Sequence, residues 1–421
     1  MQYRIDTKSG NKLSALGFGC MRLPGAFGNI DLLKAEAVIM EAIGQGVNFF
    51  DTAYLYPGSE AALGHVLAKN NVRDKVYIAT KLPQFQCRAY EDFDKYFDIQ
   101  LERLKTDYID YYFMHNMARQ EDWNRLCGLG IEKWIQEKRA QGKIKHVGFS
   151  FHGVKDEFTT LLDAYNWDFC MIQYNYVNVN YQAGVAGLKY AYSKGIPVFI
   201  MEPLLGGRLA KDLPEAATKL FAENGPEAKD VRLVEYGHVT EYRQKDSTAT
   251  PAAWALRWLW NQPEVTLVLS GMNDIEQLKE NAALAAKSQV GGMSEYELSV
   301  IEKVKEIFSS SYKIPCTGCN YCLPCPVNIN IPDCFMAYNS SYAISRFAGM
   351  QQYATTSGGL HSTFSIAVCV KCGKCEKLCP QEIAIMERLA DVYKRMEPWW
   401  YRVGVKIVRC VGVGIVLRFM R

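Results

Sequence analysis

Eight of the fourteen cysteines fall in two tight runs, Cys316-Cys319-Cys322-Cys325 and Cys369-Cys372-Cys375-Cys379, each closed by a proline (Pro326, Pro380). Thiolates three residues apart can take successive corners of one cubane. The cysteine before the proline points away and reaches a second cube, the arrangement of two 4Fe–4S clusters. This assigns Cys316, Cys319, Cys322 and Cys379 to one cluster and Cys369, Cys372, Cys375 and Cys325 to the other. The second run has the C-x2-C-x2-C-x3-C-P spacing, and the first has two residues before its fourth cysteine. That shortening leaves the crossover open, though not the eight ligands. A pair of zinc knuckles is the competing reading, because CxxC pairs also bind zinc. Zinc sites seldom crowd four cysteines so evenly or end them in Cys-Pro, so the chain is expected to handle single electrons.

Lys371, Lys374 and Lys377 surround the second run. They either form a solvated face, offset the negative charge of a cluster with its thiolates, or offer a docking face to an acidic electron carrier such as a ferredoxin or flavodoxin. The stretch between the runs reads helical around Asp333–Gln351, which predicts a helical two-cluster ferredoxin domain rather than a compact β-rich one. Cys87, Cys127, Cys170 and Cys410 read as ordinary thiols, and Cys334 lies near the ligands but fits no spacing.

A second group of polar residues follows apolar runs earlier in the chain: Asp51 in FFDTAYLYPGSE, Tyr56 five residues on, Lys81 in YIATK and His115 in YYFMHN. The elements that would position them alternate. Strands are predicted at Ala15–Gly19, Val47–Ala53, Val76–Lys81, Tyr108–His115, His146–Ser150, Phe169–Tyr174, Pro197–Glu202 and Thr266–Ser270. Helices are predicted at Leu32–Gly44, Glu60–Ala68, Phe93–Leu104, Glu132–Gln141, Glu157–Tyr165, Val185–Lys194, Ala252–Trp260 and Ile275–Ala285. Continuous apolar strands fit a parallel sheet covered on both faces, and this many β–α units point to an α/β fold of the closed (β/α)8 TIM barrel type. An open doubly wound sheet is the alternative, and no GxGxxG fingerprint supports it. In such a barrel the polar strand ends face the active site.

Residues 208–250 read as one long polar, irregular insertion, a length typical of lids. A helix near Glu295–Ile307 leads to a boundary at Ser309–Ser311. The expected parts are therefore a barrel (1–308), a small, mainly helical two-cluster ferredoxin domain (309–398) and a basic, apolar tail (399–421).

In order and context, Asp51, Tyr56, Lys81 and His115 resemble the Asp–Tyr–Lys–His tetrad of the aldo/keto reductase family. The resemblance spans roughly residues 3–308 and includes GFGCMRLP, GFS at 148–150, QYN at 173–175 and LKENA at 278–282. It implies reduction of a small carbonyl, or oxidation of the alcohol, with NAD(P)H. Tyr56 would be the general acid, tuned by Asp51, Lys81 and His115. A tyrosine of pKa ~10 is a poor acid–base group near neutrality until a cation stabilises its phenolate, and Lys81 is expected to supply that cation.

The same resemblance places cofactor contacts at Ser150 and Gln173 for the nicotinamide carboxamide and at Glu280 and Asn281 on the adenine side. Gly19, Cys20 and Met21 approach by backbone, and Met201, Pro203, Leu204 and Ser270 line the site. Phe151 stands where many members have Asn, and Met201 where an aromatic commonly stacks on the ring. Gly271 and Gln277 replace the Lys and Arg that would pair with a 2′-phosphate, so NADPH (the NADP form) is not preferred over NADH on charge.

A nicotinamide gives up two electrons as hydride and a cluster takes one, so a flavin is the kind of group that would stand between them. No flavin fingerprint is present, although barrels bind FMN without one. Three readings stay open: a nicotinamide-dependent carbonyl reductase whose clusters are structural or regulatory, clusters that bring electrons from a ferredoxin-like partner to the barrel, and an electron-transfer or assembly module whose barrel is catalytically idle. The favoured function is a carbonyl oxidoreductase linked to electron transfer by the clusters, and the alternative a ferredoxin-linked module whose barrel uses no nicotinamide. A net charge of +3 gives no case for nucleic acid. The N-terminal MQYRIDTKSGNKLS lacks the apolar core of a signal peptide, so a cytoplasmic location is expected. The tail WWYRVGVKIVRCVGVGIVLRFMR suits an amphipathic helix on an anionic membrane surface, which would make the protein membrane-peripheral, or a segment packed on the barrel or a partner subunit.

Overall fold

The computed structural model describes the chain except residues 27–28, 154, 212, 226–229, 236–237, 244–249, 317, 319–321, 356–364, 380–381 and 412–421. Eight parallel strands close a barrel: β1 Leu16–Gly19, β2 Phe49–Asp51, β3 Tyr77–Leu82, β4 Ile109–Met117, β5 Ile144–Phe151, β6 Phe169–Gln173, β7 Val198–Met201 and β8 Val265–Ser270. Neighbours in sequence are neighbours in the sheet, and β8 returns to β1. The outer helices are α1 Leu32–Gly44, α2 Ser59–Lys69, α3 Glu91–Leu104, α4 Ile131–Ala140, α5 Lys155–Asp163, α6 Gly184–Ser193, α7 Pro251–Trp260 and α8 Ile275–Lys287.

Alternate side chains of each strand point inward. Phe49, Tyr111, Phe113, Phe169 and Phe199 fill the barrel interior without solvent exposure, and Phe169 stacks on Phe199 at 5.2 Å. Gly148 makes room for them: a Cβ there would lie 2.3 Å from the Phe169 carbonyl oxygen. The antiparallel hairpin Tyr3–Ile5 and Lys12–Ser14 closes the N-terminal end of the barrel. There Tyr111 donates to Asp6 Oδ2 at 2.8 Å and accepts from Asn11 at 3.0 Å. The opposite, C-terminal end is left as the mouth.

The insertion expected to be irregular carries order of its own. It contains the helices Arg208–Lys211 and Glu215–Glu223 and an antiparallel hairpin of Asp230–Glu235 with His238–Arg243. Ala217 and Phe221, four residues apart on the second helix, are buried, and Phe221 stacks on Trp254 at 5.1 Å. Two helical turns are too short to show a clear apolar period among polar neighbours. A further short helix, Gln120–Gly128, buries Trp123 and Leu126 and had no counterpart among the expected elements.

Helix α9 (Glu295–Ser310) starts at a capping box of Ser294 and Glu297 and runs through Ser309 and Ser310 before ending at Ser311. Beyond it lie α10 (Ile331–Ala343), α11 (Arg346–Tyr353), α12 (Ile385–Met396) and α13 (Trp399–Val411). The helical stretch expected around Asp333–Gln351 is thus two helices, broken at Ile344 and restarted by Ser345, whose hydroxyl accepts from Ala348 N at 3.2 Å. Their core is Phe335, Tyr353, Ile385, Leu389 and Val392.

Two buried polar side chains tether the approaches to the cysteine runs. Asn339 accepts from Lys313 N and Ile314 N at 3.0 Å and donates to Ile314 O at 2.7 Å. Glu397 accepts from Tyr353 Oη at 2.5 Å and from Ile366 N at 3.0 Å. On α13, Tyr401 packs on this core, while Trp399 and Trp400 remain exposed. The basic and apolar residues from 412 onward lie outside the described part. No described helix is long and apolar enough to cross a membrane.

The helical domain rests on the barrel mouth. Ala343 and Ile344 join α9 and the loop residues Tyr176, Leu205 and Leu209 in one apolar cluster. Arg208, just after β7, donates to Gln351 Oε1 at 3.1 Å and lies 5.7 Å from the Phe347 ring centre. A Cβ placed on Gly318, inside the first cysteine run, would lie 3.5 Å from Asn180 Cβ in the loop after β6.

Candidate active site

Parallel pairing of β2 with β3 and of β3 with β4 brings Asp51, Lys81 and His115 to the mouth. Lys81 Nζ donates to Asp51 Oδ1 at 2.6 Å and to the Thr52 carbonyl at 2.7 Å. Tyr56 is carried by the turn after β2, where its amide bonds Ala53 O at 3.0 Å and its carbonyl accepts from Ser59 N at 3.1 Å. Its ring centre lies 5.1 Å from Lys81 Nζ and 6.1 Å, edge to face, from the His115 ring. All four expected residues therefore converge.

The electrostatics differ from the expectation in one respect. Burial, followed by the charges of Asp51, Glu202 and Cys20, raises the Tyr56 phenol above its ordinary value, and Arg22 opposes them. Lys81 is neutralised by Asp51 at contact distance, so it does not leave a free cation to draw Tyr56 down. Burial also lifts the Asp51 carboxyl and lowers Lys81, each kept charged by the other. The resting site thus holds Tyr56 protonated, as a proton donor must be.

The expected cofactor residues lie at the same end. Gly19 ends β1, and Cys20 and Met21 form the turn after it, Cys20 fully buried and Met21 exposed. Burial raises the Cys20 thiol well above its usual range, which fits the expected wall residue better than a nucleophile. Ser150 ends near the mouth on β5 with its hydroxyl accepting from Asn116 N at 2.8 Å, which leaves its own proton to donate. Phe151 follows it, buried.

Gln173, at the end of β6, is buried with its Nε2 unpaired among the described residues, and such a donor is costly unless a ligand accepts from it. This orphan amide and the Ser150 hydroxyl fit a carboxamide. Met201 ends β7, with Pro203 and Leu204 in the turn beyond, and Ser270 and Gly271 follow at the end of β8. On α8, Asn281 donates to Ser270 Oγ at 3.3 Å, Glu280 accepts from Thr250 Oγ1 at 2.7 Å, and Gln277 lies one turn nearer the helix start.

Three residues of the mouth escaped the sequence reading: Arg22, Glu202 and Arg208. A Cβ on Gly206 would lie 3.2 Å from Arg22 Nη2 and 3.4 Å from Arg208 Nη1, so two guanidinium groups flank that glycine. Glu202 has φ 53°, a left-handed conformation rare for a side-chain-bearing residue. Burial raises its carboxyl while Arg22 and Arg208 oppose the rise. Arg22 directly follows Met21 in GFGCMRLP, which was the available signal.

In the helical domain, Cys322, Cys325, Cys369, Cys372 and Cys375 line one pocket. A structural zinc takes four ligands, so five thiols lining one pocket fit a multi-iron cluster better than a single zinc. Cys325 of the first run shares this pocket with the second run, and so does Cys322, so the pocket leaves the crossover open. Cys316, Cys322 and Cys379 pack on the same core, while Cys319 lies outside the described residues. On the crossover assignment, replacing Cys325 with Ser should perturb the EPR spectrum of the cluster assigned to Cys369, Cys372 and Cys375. Loss of the other cluster instead would reverse the assignment.

The aldo/keto reductase family model matches residues 15–306, and a 4Fe-4S dicluster domain model matches residues 315–385. The L-galactose dehydrogenase of Arabidopsis thaliana is 30% identical over 320 residues, covering 73% of this chain and 95% of that protein. A probable aldo-keto reductase 1 of Glycine max is 28% identical over 301 residues, covering 66% and 83%. Among solved structures, the holo form of the aldo-keto reductase AKR11C1 from Bacillus halodurans superposes with a TM-score of 0.56 at 23% identity, covering 72% and 96%. An aldo-keto reductase from Klebsiella pneumoniae in complex with NADPH gives 0.54 at 19%, covering 72% and 95%. The chain belongs to the aldo/keto reductase family. It is an oxidoreductase that carries a 4Fe-4S dicluster domain after its barrel.

Proposed function

We propose that the barrel reduces a small carbonyl compound, or oxidises the matching alcohol, with bound NAD(P)H. In the same reading, the helical domain holds two 4Fe–4S clusters that exchange single electrons with a carrier protein. The observation that carries it is the convergence of Tyr56, Lys81, Asp51 and His115 at one end of the barrel, where Gln173 also keeps an unpaired buried amide. Reduced nicotinamide, when bound, supplies the hydride that the carbonyl carbon takes. Ser150 and Gln173 would hold its carboxamide.

The chain's own part is the proton and its setting. Tyr56 is kept protonated by burial and by the Asp51 charge, and it gives that proton to the carbonyl oxygen as charge builds there. His115, edge-on to Tyr56, orients that oxygen, and the Lys81–Asp51 pair fixes a dipole behind the phenol. The Klebsiella protein's NADPH supports a nicotinamide. Gly271 and Gln277 offer no cation to a 2′-phosphate, so discrimination between NADH and NADPH falls to other groups at the mouth. Anaerobic titration with NADH and NADPH should show saturable binding of at least one and turnover of small aldehydes or ketones. Failure of both to bind, with the clusters redox-active, would overturn this reading.

The approach of Gly318, inside the first cysteine run, to the Asn180 loop of the barrel favours a second reading, in which electrons from an electron-carrier protein pass to the barrel without nicotinamide. A flavin is the group able to collect them in pairs. Carbonyl reduction driven by reduced methyl viologen alone would support it.

A further inference from the structure

The helical domain has an inner side and an outer side. Inward, the first cysteine run meets the barrel at Asn180. Outward, the second run presents Cys372 to solvent, with Val370 and Leu378 61% and 58% exposed. Lys371, Lys374 and Lys377 are exposed around them, and none forms an ion pair with a described residue. Exposed lysines around bare apolar side chains leave this face open to a partner of opposite charge.

The acidic groups nearby do not cancel this charge. Glu376 is tied inward, accepting from Met386 N at 2.8 Å. Glu387 is paired with Arg388 at 2.8 Å, leaving Glu382 as the exposed carboxylate on the adjoining turn.

We propose that this face, Val370 and Leu378 ringed by Lys371, Lys374 and Lys377 over the exposed Cys372, docks a small acidic one-electron carrier protein. An apolar centre within a rim of one sign gives a weak, fast-exchanging interface steered by charge, as electron-transfer encounters require. One electron leaves the reduced carrier and enters the cluster held by the second run. The carrier is oxidised by one electron, the cluster is reduced by one, and no bond or proton moves. The inference rests on the reading of the domain as a holder of two clusters and adds the place where electrons enter.

The test uses the full-length, cluster-loaded protein and a photoreduced acidic 2Fe–2S ferredoxin as the probe. Anaerobic stopped-flow mixing reads cluster bleaching at low and high salt. For the wild type the rate should fall steeply as salt rises. The triple variant K371E/K374E/K377E should be slower by about 10-fold or more at low salt and lose most of its salt dependence, in line with electrostatic steering. Its cluster EPR spectra should match the wild type, and its second-cluster potential, which the charge reversal lowers, is titrated alongside so that lost driving force is separated from lost docking. Should the triple reversal disturb cluster assembly, Lys374→Gln and Lys377→Gln singly read the same effect in graded form.

An unchanged rate and salt dependence with intact clusters would overturn the proposal. Missing cluster EPR signals in the wild type would overturn the cluster reading, and this face with it. Normal reduction by the ferredoxin without any carbonyl turnover would fail the barrel reading alone and support the docking face.

Discussion

Replacing Tyr56 with Phe should lower kcat for carbonyl reduction by about 10²–10⁴-fold, the range a positioned general acid contributes. The ring and its packing on His115 and Lys81 remain, so nicotinamide binding, cluster content and the unfolding midpoint should stay near wild type. Because the lost interaction forms only as the oxygen gains charge, kcat and kcat/KM should fall together. A rise in KM at constant kcat would mean that the hydroxyl only binds substrate. Steady-state kinetics on purified variant and wild type distinguish these, and full turnover by the variant would remove Tyr56 from the chemistry.

Replacing Lys81 with Met should damage both activity and stability. Asp51 is 5% exposed and Lys81 1%, so removing the cation leaves a buried carboxylate without its partner, a loss of about 3–5 kcal/mol for such pairs. The double variant Asp51→Asn/Lys81→Met should regain part of that stability, because no charge is left stranded, while activity stays low. Chemical unfolding followed by tryptophan fluorescence gives the cycle; additive losses would deny the coupling.

The same pair sets a pH limit. Burial lowers Lys81, so rising pH strips its proton below the ~10.4 of an ordinary lysine. Since Tyr56 is shifted upward, wild-type reduction should fall on an alkaline limb set by Lys81 before Tyr56 itself ionises.

Much of the barrel is legible in the sequence because its strands are buried on both faces and its helices carry clear signals. Asp31 caps α1 by accepting from Lys34 N, and Thr250 with Pro251 opens α7. The observed strands depart from the expected ones by a residue or two at their ends. The hairpin at Tyr3–Ile5 and Lys12–Ser14 was not legible, since each strand is three residues long and half exposed. The helix Glu215–Glu223 hid in a polar stretch for the same reason of length.

Within the site, Asp51, Tyr56, Lys81 and His115 follow strand ends and could be read directly. Arg22, Glu202 and Arg208 come from two segments that only the closed barrel brings together, and apart from the place of Arg22 in GFGCMRLP no spacing announces them. The effect of burial on Tyr56 was also beyond residue types: a lysine beside a tyrosine suggests a lowered phenol, but its carboxylate partner and the dry surroundings reverse the sign. For the clusters, cysteine spacing pointed to the dicluster domain that the family model matches, and the pocket that Cys322 and Cys325 share with the second run leaves the crossover open.

The central claim is that hydride passes directly from nicotinamide to the carbonyl carbon in the barrel, with the proton coming from Tyr56. Carbonyl reduction under argon with NAD(P)H deuterated at the transferring position of C4, followed by mass spectrometry and NMR of the alcohol, tests it most directly. The account predicts one deuterium on the former carbonyl carbon and none lost to water. A product whose new C–H bond carries solvent hydrogen would contradict it, because the electrons would then have travelled apart from the hydride.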